Sequence, residues 1–140
     1  MGKKVTLLKV NAPFAVSLRR VRTKDKRVPV NLNWYRNAHY LVSNAVKTQY
    51  GLDVESQLKD IVLKTPCEVT YQVFKPTRRR LDKMNVVSIT SKFLLDRLVE
   101  LGVIEDDNDD FIKTETILPT VHDKDNPRVE VTFRHIEDSK

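Results

Sequence analysis

Strand-like and helix-like hydrophobic spacing alternate along the second half of the chain, and this alternation limits the fold more than any other feature. Residues 67–74 are rich in β-formers and predict a strand. Residues 85–101 show helical spacing and end at Gly102, a residue type that often terminates helices. Two more strands are predicted, over residues 111–118 and 128–136, so a sheet carries this helix.

In the first half of the chain, predicted strands are also followed by a predicted helix. A first strand is predicted over residues 5–10, and residues 16–30 predict a hairpin. A second long helix is predicted over residues 34–50, with Asn33 as its cap and Gly51 as its end. The whole order is ββαβαββ, which predicts an α+β fold with two long helices on one mixed sheet.

Length and charge place limits on the class of protein. The chain has 140 residues and shows no internal repeat, so residues 1–140 are expected to form a single domain. A formal net charge of +6 favours a polyanionic partner, either nucleic acid or an anionic membrane surface, and the alternative is a merely soluble basic protein. Cys67 is the only cysteine, which excludes an internal disulfide and a cysteine-based zinc site. With no run of about 18 apolar residues and no recognisable signal peptide, we expect a cytoplasmic protein without a membrane partner.

Carboxylates lie at both ends of the helix predicted over residues 85–101. Asp82 precedes the helix, and an acidic run that includes Asp106, Asp107 and Asp110 follows it. Clustered carboxylates repel one another unless they are solvated or hold a cation. Oxygen ligands of this kind suit Mg²⁺ or Mn²⁺. A plain solvated loop is the alternative interpretation.

One face of the same helix is polar. Asn85, Lys92 and Asp96 fall within roughly 40° of one another at the helical rotation of about 100° per residue. Ile89 and Val99 flank this stripe, so we expect it to be partly sheltered from solvent. The alternative is an ordinary solvated face with an i, i+4 pair between Lys92 and Asp96.

Other sites are excluded by their missing residues. The chain has no GxxxxGK[ST] loop, so no nucleotide cofactor is expected, and no GxSxG elbow. In an EF-hand register Phe111 would replace the required glycine and Ile117 the closing glutamate. The three histidines show no metal-ligand spacing.

The stretch from Arg78 to Ile112, which contains this helix and its flanking carboxylates, resembles the RusA family of Holliday junction resolvases. That family has an arginine-rich lead-in, Asp-x-Asp-Asn, a lysine on the next helix, an aspartate one turn later, and Gly-x-x-x-Asp-Asp. The matching residues here are Arg78, Arg79, Arg80, Asp82, Asn85, Lys92, Asp96, Gly102, Asp106 and Asp107. Between Lys92 and Asp107 the match holds in both spacing and residue type.

Two departures from the family pattern concern the start of the helix. Met84 stands where the family has its second aspartate, and the interval from Asn85 to Lys92 is about four residues longer, close to one helical turn. A different register would place Asp82 on the second aspartate and Arg80 on the first. Asp82 is the retained acid in both registers.

The resemblance implies a RusA-like fold and a Mg²⁺-dependent (or Mn²⁺-dependent) crossover junction endodeoxyribonuclease of DNA recombination and repair. Its substrate would be branched DNA with four arms, and two symmetric nicks would require a homodimer. Asp82, Lys92 and Asp107 are then the expected catalytic residues, with Asp82, Asp106 and Asp107 as metal ligands. Asn85, Asp96 and Asp110 would orient these groups. The residues expected to bind DNA are Arg19, Arg20, Arg22, Arg78, Arg79 and Arg80.

Two other functions fit the sequence. A non-catalytic nucleic-acid-binding module would use the arginines for binding and the acids for solubility, and Met84 favours it. A protein-interaction domain would use the apolar parts of both helices. The high charged fraction, 31%, makes the second alternative less attractive.

Overall fold

The structure is a computed structural model that describes residues 2–19 and 24–137, and it confirms the predicted α+β class. Within these residues the chain forms nine strands and three helices. The strands are β1 (Lys3–Val5), β2 (Leu7–Pro13), β3 (Ala15–Leu18), β4 (Lys26–Pro29), β5 (Ile61–Leu63), β6 (Cys67–Lys75), β7 (Ile112–Ile117), β8 (Val121–His122) and β9 (Arg128–His135). The helices are α1 (Leu32–Asn37), α2 (Tyr40–Leu58) and α3 (Lys83–Glu100).

The main sheet is mixed, as predicted. Its strands are ordered β2-β9-β6-β7, and β8 pairs with the end of β6 beyond β7. β9 is antiparallel to both β2 and β6, whereas β7 and β8 are parallel to β6. β1 pairs with β5, and β3 and β4 form the hairpin expected in residues 16–30.

One face of this sheet forms the floor of the hydrophobic core. Alternate residues of β2, β6 and β9 are buried, as the strand period of two requires. The buried set is Leu8, Val10, Ala12, Cys67, Val69, Tyr71, Val73, Val129, Val131 and Phe133. From α3, Phe93, Leu94 and Leu98 complete the same core. Leu101, the last residue of the predicted helix, is 36% exposed.

The single long helix predicted over residues 34–50 is wrong, because the chain breaks between α1 and α2. Asn31, not Asn33, caps α1 by accepting a hydrogen bond from the backbone N–H of Trp34 at 2.9 Å. The break at Ala38 and His39 changes the helical phase. Leu41, within the predicted helix, is 61% exposed. The buried residues of α2 are Val46, Tyr50, Gly51, Val54 and Leu58.

Gly51 does not end the helix; it lies inside α2, where α3 approaches closely. A Cβ atom at this position would lie 3.1 Å from Nε of Arg97. That arginine extends from α3 to Glu55 of α2, with an N–O distance of 2.7 Å. The glycine therefore serves packing between the two helices, which its place in the sequence does not reveal.

The strand boundaries need three further corrections. β2 continues through Asn11 and Pro13, where the first strand was expected to stop. Pro13 is tolerated because β2 is an edge strand of the main sheet. The short strands β5 and β8 were not predicted. Each pairs over only three or two residues, too few for a periodic signal.

Both ends of α3 are capped. At its N-terminus the side chain of Asp82 accepts a hydrogen bond from the backbone N–H of Met84 at 3.0 Å. At its C-terminus Gly102 has φ of +74°, and its N–H donates to the carbonyl of Val99. The N–H of Val103 donates to the carbonyl of Leu98, which completes a Schellman motif. This motif sets the direction in which the acidic loop leaves the helix.

We predict that Gly102→Ala lowers the free energy of unfolding by about 1 kcal/mol, because an L side chain strains a backbone with positive φ. No atom lies within 4 Å of the added Cβ, so steric contact contributes nothing. Urea denaturation measures the effect. Gly102→Asn is the matched control. Its free energy of unfolding should fall less, since asparagine tolerates this conformation better than alanine. Equal losses for both variants would contradict the explanation.

Candidate functional site

The N-terminal end of α3 brings several of the predicted site residues to the surface. Arg78, Arg79 and Arg80 are all exposed in the segment that leads into the helix. Nζ of Lys75 donates to the carbonyl of Arg79 at 2.9 Å and so holds this segment against the end of β6. Asp82 is exposed too. Met84, in the position of the missing aspartate, is 57% exposed.

The middle of α3 carries the polar stripe. Asn85 and Asp96 are half-buried and Lys92 is exposed. Nζ of Lys92 lies 5.9 Å from the ring centroid of Tyr35, a cation–π contact. Asp96 pairs not with Lys92 but with Lys47 of α2, at 2.7 Å. Lys47 was missed because it precedes Asp96 by 49 residues, so no local pattern links them.

The acidic loop after α3 is organised by its own hydrogen bonds. Oδ1 of Asp106 accepts from the backbone N–H of Asp107 at 2.7 Å, and its Oδ2 accepts from Nδ2 of Asn108 at 3.0 Å. Oδ1 of Asn108 in turn accepts from the N–H of Asp110 at 2.9 Å. Asp106 therefore shapes a turn, and Asp107 and Asp110 remain exposed on it.

Asp107 has a perturbed carboxyl group. Partial desolvation raises its pKa above the usual range, and the hydrogen bond and negative charge of Asp106 add to the shift. The charge of Asp96 acts in the same direction. Asp96, although paired with Lys47, therefore lies close enough to Asp107 to influence its pKa.

The two ends of α3 do not form one site within a chain. Fourteen residues separate Asp82 from Asp96, which corresponds to about 21 Å at a rise of about 1.5 Å per residue. Asp107 belongs to the Asp96 end. Across residues 2–19 and 24–137, no three side chains of His, Cys, Asp or Glu are arranged to hold a metal ion. The expected ligand set of Asp82, Asp106 and Asp107 is thus not gathered in one protomer.

The arginines of the first hairpin are only partly located. Arg19 is exposed next to β3. Arg20 and Arg22 lie outside the described residues.

A cysteine nucleophile is not available in this fold. Cys67 is fully buried, and burial, with a smaller effect from the charge of Glu68, raises the pKa of its thiol to about 11. The thiol therefore stays protonated at neutral pH.

The chain matches no protein-family model and no curated protein.

In the described part of the chain, none of the helices has both the length and the apolar character needed to cross a membrane.

We predict that Asp107→Asn raises the melting temperature at pH 7. Because the folded-state pKa of Asp107 is raised, the ionised carboxylate destabilises the folded protein at neutral pH. This penalty disappears as the pH falls through the raised pKa towards the ordinary value, so the gain should vanish near pH 3. Thermal unfolding at both pH values measures it.

Asp109→Asn is the control for general loss of charge in the acidic loop, because Asp109 is an exposed carboxylate of the same turn. Asp109→Asn should raise the melting temperature at pH 7 by less than Asp107→Asn does. An equal gain for Asp107→Asn at both pH values would show that the carboxyl pKa is not the cause.

Proposed function

We propose that this chain is a metal-dependent endodeoxyribonuclease of the RusA type that nicks four-way DNA junctions and works as a homodimer in the cytoplasm. The main support for the proposal is that the family-pattern residues on and beside α3 reach solvent. Asp82, Asn85, Lys92, Asp96 and Asp107, the residues on which the resemblance rests, are exposed or half-buried, although the helix also contributes to the core. Residues needed only for packing would not reach solvent in this way.

The charges near α3 fit a phosphodiester substrate. Arg78, Arg79 and Arg80 are free to contact phosphates in the protein with a net charge of +6. Lys92 extends from the same helix and can stabilise charge on the attacked phosphate. Asn85 and Asp96 lie on the same stripe as Lys92, and Lys47 holds Asp96 in place.

The carboxylates fit a hard divalent cation, with Asp110 as an additional orienting acid near the loop. Mg²⁺ or Mn²⁺, when bound, supplies activation of a water molecule and stabilisation of the developing charge. Because about 21 Å of helix separates Asp82 from Asp96, near which Asp107 lies, we propose that Asp82 of one protomer meets Asp106 and Asp107 of the partner protomer. A twofold axis would create two such sites, one for each nick.

Exposed apolar side chains on α2 support self-association. Tyr40, Leu41 and Leu52 are 67%, 61% and 55% exposed. Interface cores favour large apolar side chains over charged residues.

A second candidate function is a nucleic-acid-binding module without catalysis. One observation favours it: Asp82 has a structural role as the cap of α3, and Asp106 has one in its turn. Both acids therefore have a role without any metal ion. A third acid of the family pattern is missing, because Met84 stands in its position.

Asparagine substitutions separate the two candidates. Asp82→Asn keeps the helix cap, since asparagine caps as well as aspartate, and Asp107→Asn keeps the side-chain shape. If the carboxylates hold the metal ion, each variant should lose Mg²⁺-dependent nicking of a four-way junction by about a hundredfold or more, by analogy with the loss of a key electrostatic group. Junction binding in EDTA should stay level or tighten, because repulsion of phosphate falls.

Asp125→Asn is the matched control, an exposed aspartate in the loop between β8 and β9. It should nick at the wild-type rate. A double Asp82→Asn, Asp107→Asn variant that also nicks at the wild-type rate would remove both residues from the site and exclude this mechanism.

We also predict that Met84→Asp increases nicking. Met84 is 57% exposed in the first turn of α3, and that turn contains no acidic residue. A carboxylate there is therefore accommodated and interacts favourably with the helix dipole, by about 0.3–1 kcal/mol. The measurement is the nicking rate at limiting Mg²⁺, where an added ligand should have its largest effect. Met84→Asn is the uncharged control, and an equal rate for both variants would contradict the role of the charge.

A further inference from the structure

A cleft is lined by residues of β4, α1 and the start of α2. It has a volume of about 560 Å³, within the range of small-molecule binding pockets. Its walls include the apolar side chains of Trp34, Pro29 and Val42, and the polar side chains of Asn37 and His39. Lys26 stands at its edge and adds a positive charge.

This cleft continues towards Asp82. A second, smaller cleft of about 230 Å³ is lined by Arg80, Asp82 and Asn85, and the two clefts share Asn31 and Asn33 as common walls. The two clefts are neighbours, and we call them together the Trp34 groove. Lys26 lines the first cleft and Arg80 the second, asparagine side chains line both, and Asp82 is the only carboxylate among the lining residues.

The lining of the groove indicates the chemistry of its ligand. Cations can contact phosphates, and asparagine amides can donate to and accept from base edges. An indole ring offers a flat face for a base, which is how proteins hold unpaired strands. In a duplex the faces of the bases are covered by their neighbours, so only an unpaired base can stack on Trp34.

We propose that the Trp34 groove binds an unpaired DNA strand, with one base against Trp34 and the adjoining phosphates near Lys26 and Arg80. This inference rests on the proposed function and deepens it. The groove leads an unpaired strand from the crossover of a branched molecule towards Asp82. The favoured substrate is then branched DNA that carries unpaired nucleotides at the branch point, in preference to perfect duplex.

The chain supplies its own reporter for this proposal. Trp34 is the only tryptophan, so the intrinsic tryptophan emission comes from the groove alone. The wild-type protein is titrated in EDTA with oligothymidylate, with a blunt duplex of the same length, and with a four-way junction that carries unpaired nucleotides at its branch point. Stacking on Trp34 should quench the emission with oligothymidylate and with the junction, and leave it little changed with the duplex. Equal quenching by the duplex would overturn the preference for an unpaired strand.

Substitutions test the groove without relying on emission. In anisotropy titrations of a labelled oligothymidylate, Trp34→Ala should weaken binding by about fivefold or more, and Trp34→Phe should restore part of the affinity. Because Trp34 also packs against the core, Asn33→Asp provides a second variant at an exposed position. Its added negative charge should weaken binding by about fivefold at low salt.

Asn11→Asp is the charge-matched control. Asn11 is exposed, and its backbone pairs with the side chain of Gln57 near the far end of α2. Gln57 is eighteen residues from His39, about 27 Å along α2. Asn11→Asp should therefore bind as the wild type does. If Asn33→Asp also binds as the wild type does and emission is unchanged with every DNA, the groove is not the strand site. Junction nicking by the same protein would show that the proposed nuclease function survives that failure.

Discussion

The burial of α3 against the main sheet is the constraint on which the other features depend. Phe93, Leu94 and Leu98 fix the helix on strands that contribute Tyr71 and Phe133 to the same core. Because the helix is packed on the sheet and capped at both ends, its two ends stay a fixed distance apart. If Asp82 and Asp107 bind one metal ion, that distance requires them to come from two chains.

Regular, strongly periodic elements could be predicted from the sequence, and breaks in them could not. β6, β9 and α3 were predicted to within about two residues because each has one buried face of constant period. The split between α1 and α2 was missed because His39 caps the second helix by accepting a hydrogen bond from the backbone N–H of Leu41, in a segment with helix-forming residues on both sides. Gly51 was misinterpreted for a similar reason: a glycine that ends a helix and one that admits Arg97 look alike in a sequence.

In the candidate site, local spacing predicted which side chains share a face of α3 but not which residues they contact. Spacing along α3 placed Asn85, Lys92 and Asp96 on one stripe, and all three do reach solvent. The partners of that stripe come from other elements: Lys47 from α2 and Tyr35 from α1. Such pairings depend on tertiary packing, so no local pattern predicts them. The separation of Asp82 from Asp107 could have been anticipated, because a helix of 18 residues is about 27 Å long.

The most direct test of the account mixes the two inactive variants. Asp82→Asn and Asp107→Asn proteins are unfolded together, refolded at equal concentration, and assayed with Mg²⁺ on a four-way junction. If Asp82 of one protomer works with Asp107 of the other, half of the dimers regain one intact site, so the mixture should recover about a quarter of the wild-type sites. Its products should be single nicks, not paired ones. A mixture as inactive as each variant alone, beside an active wild-type protein, would contradict a shared site.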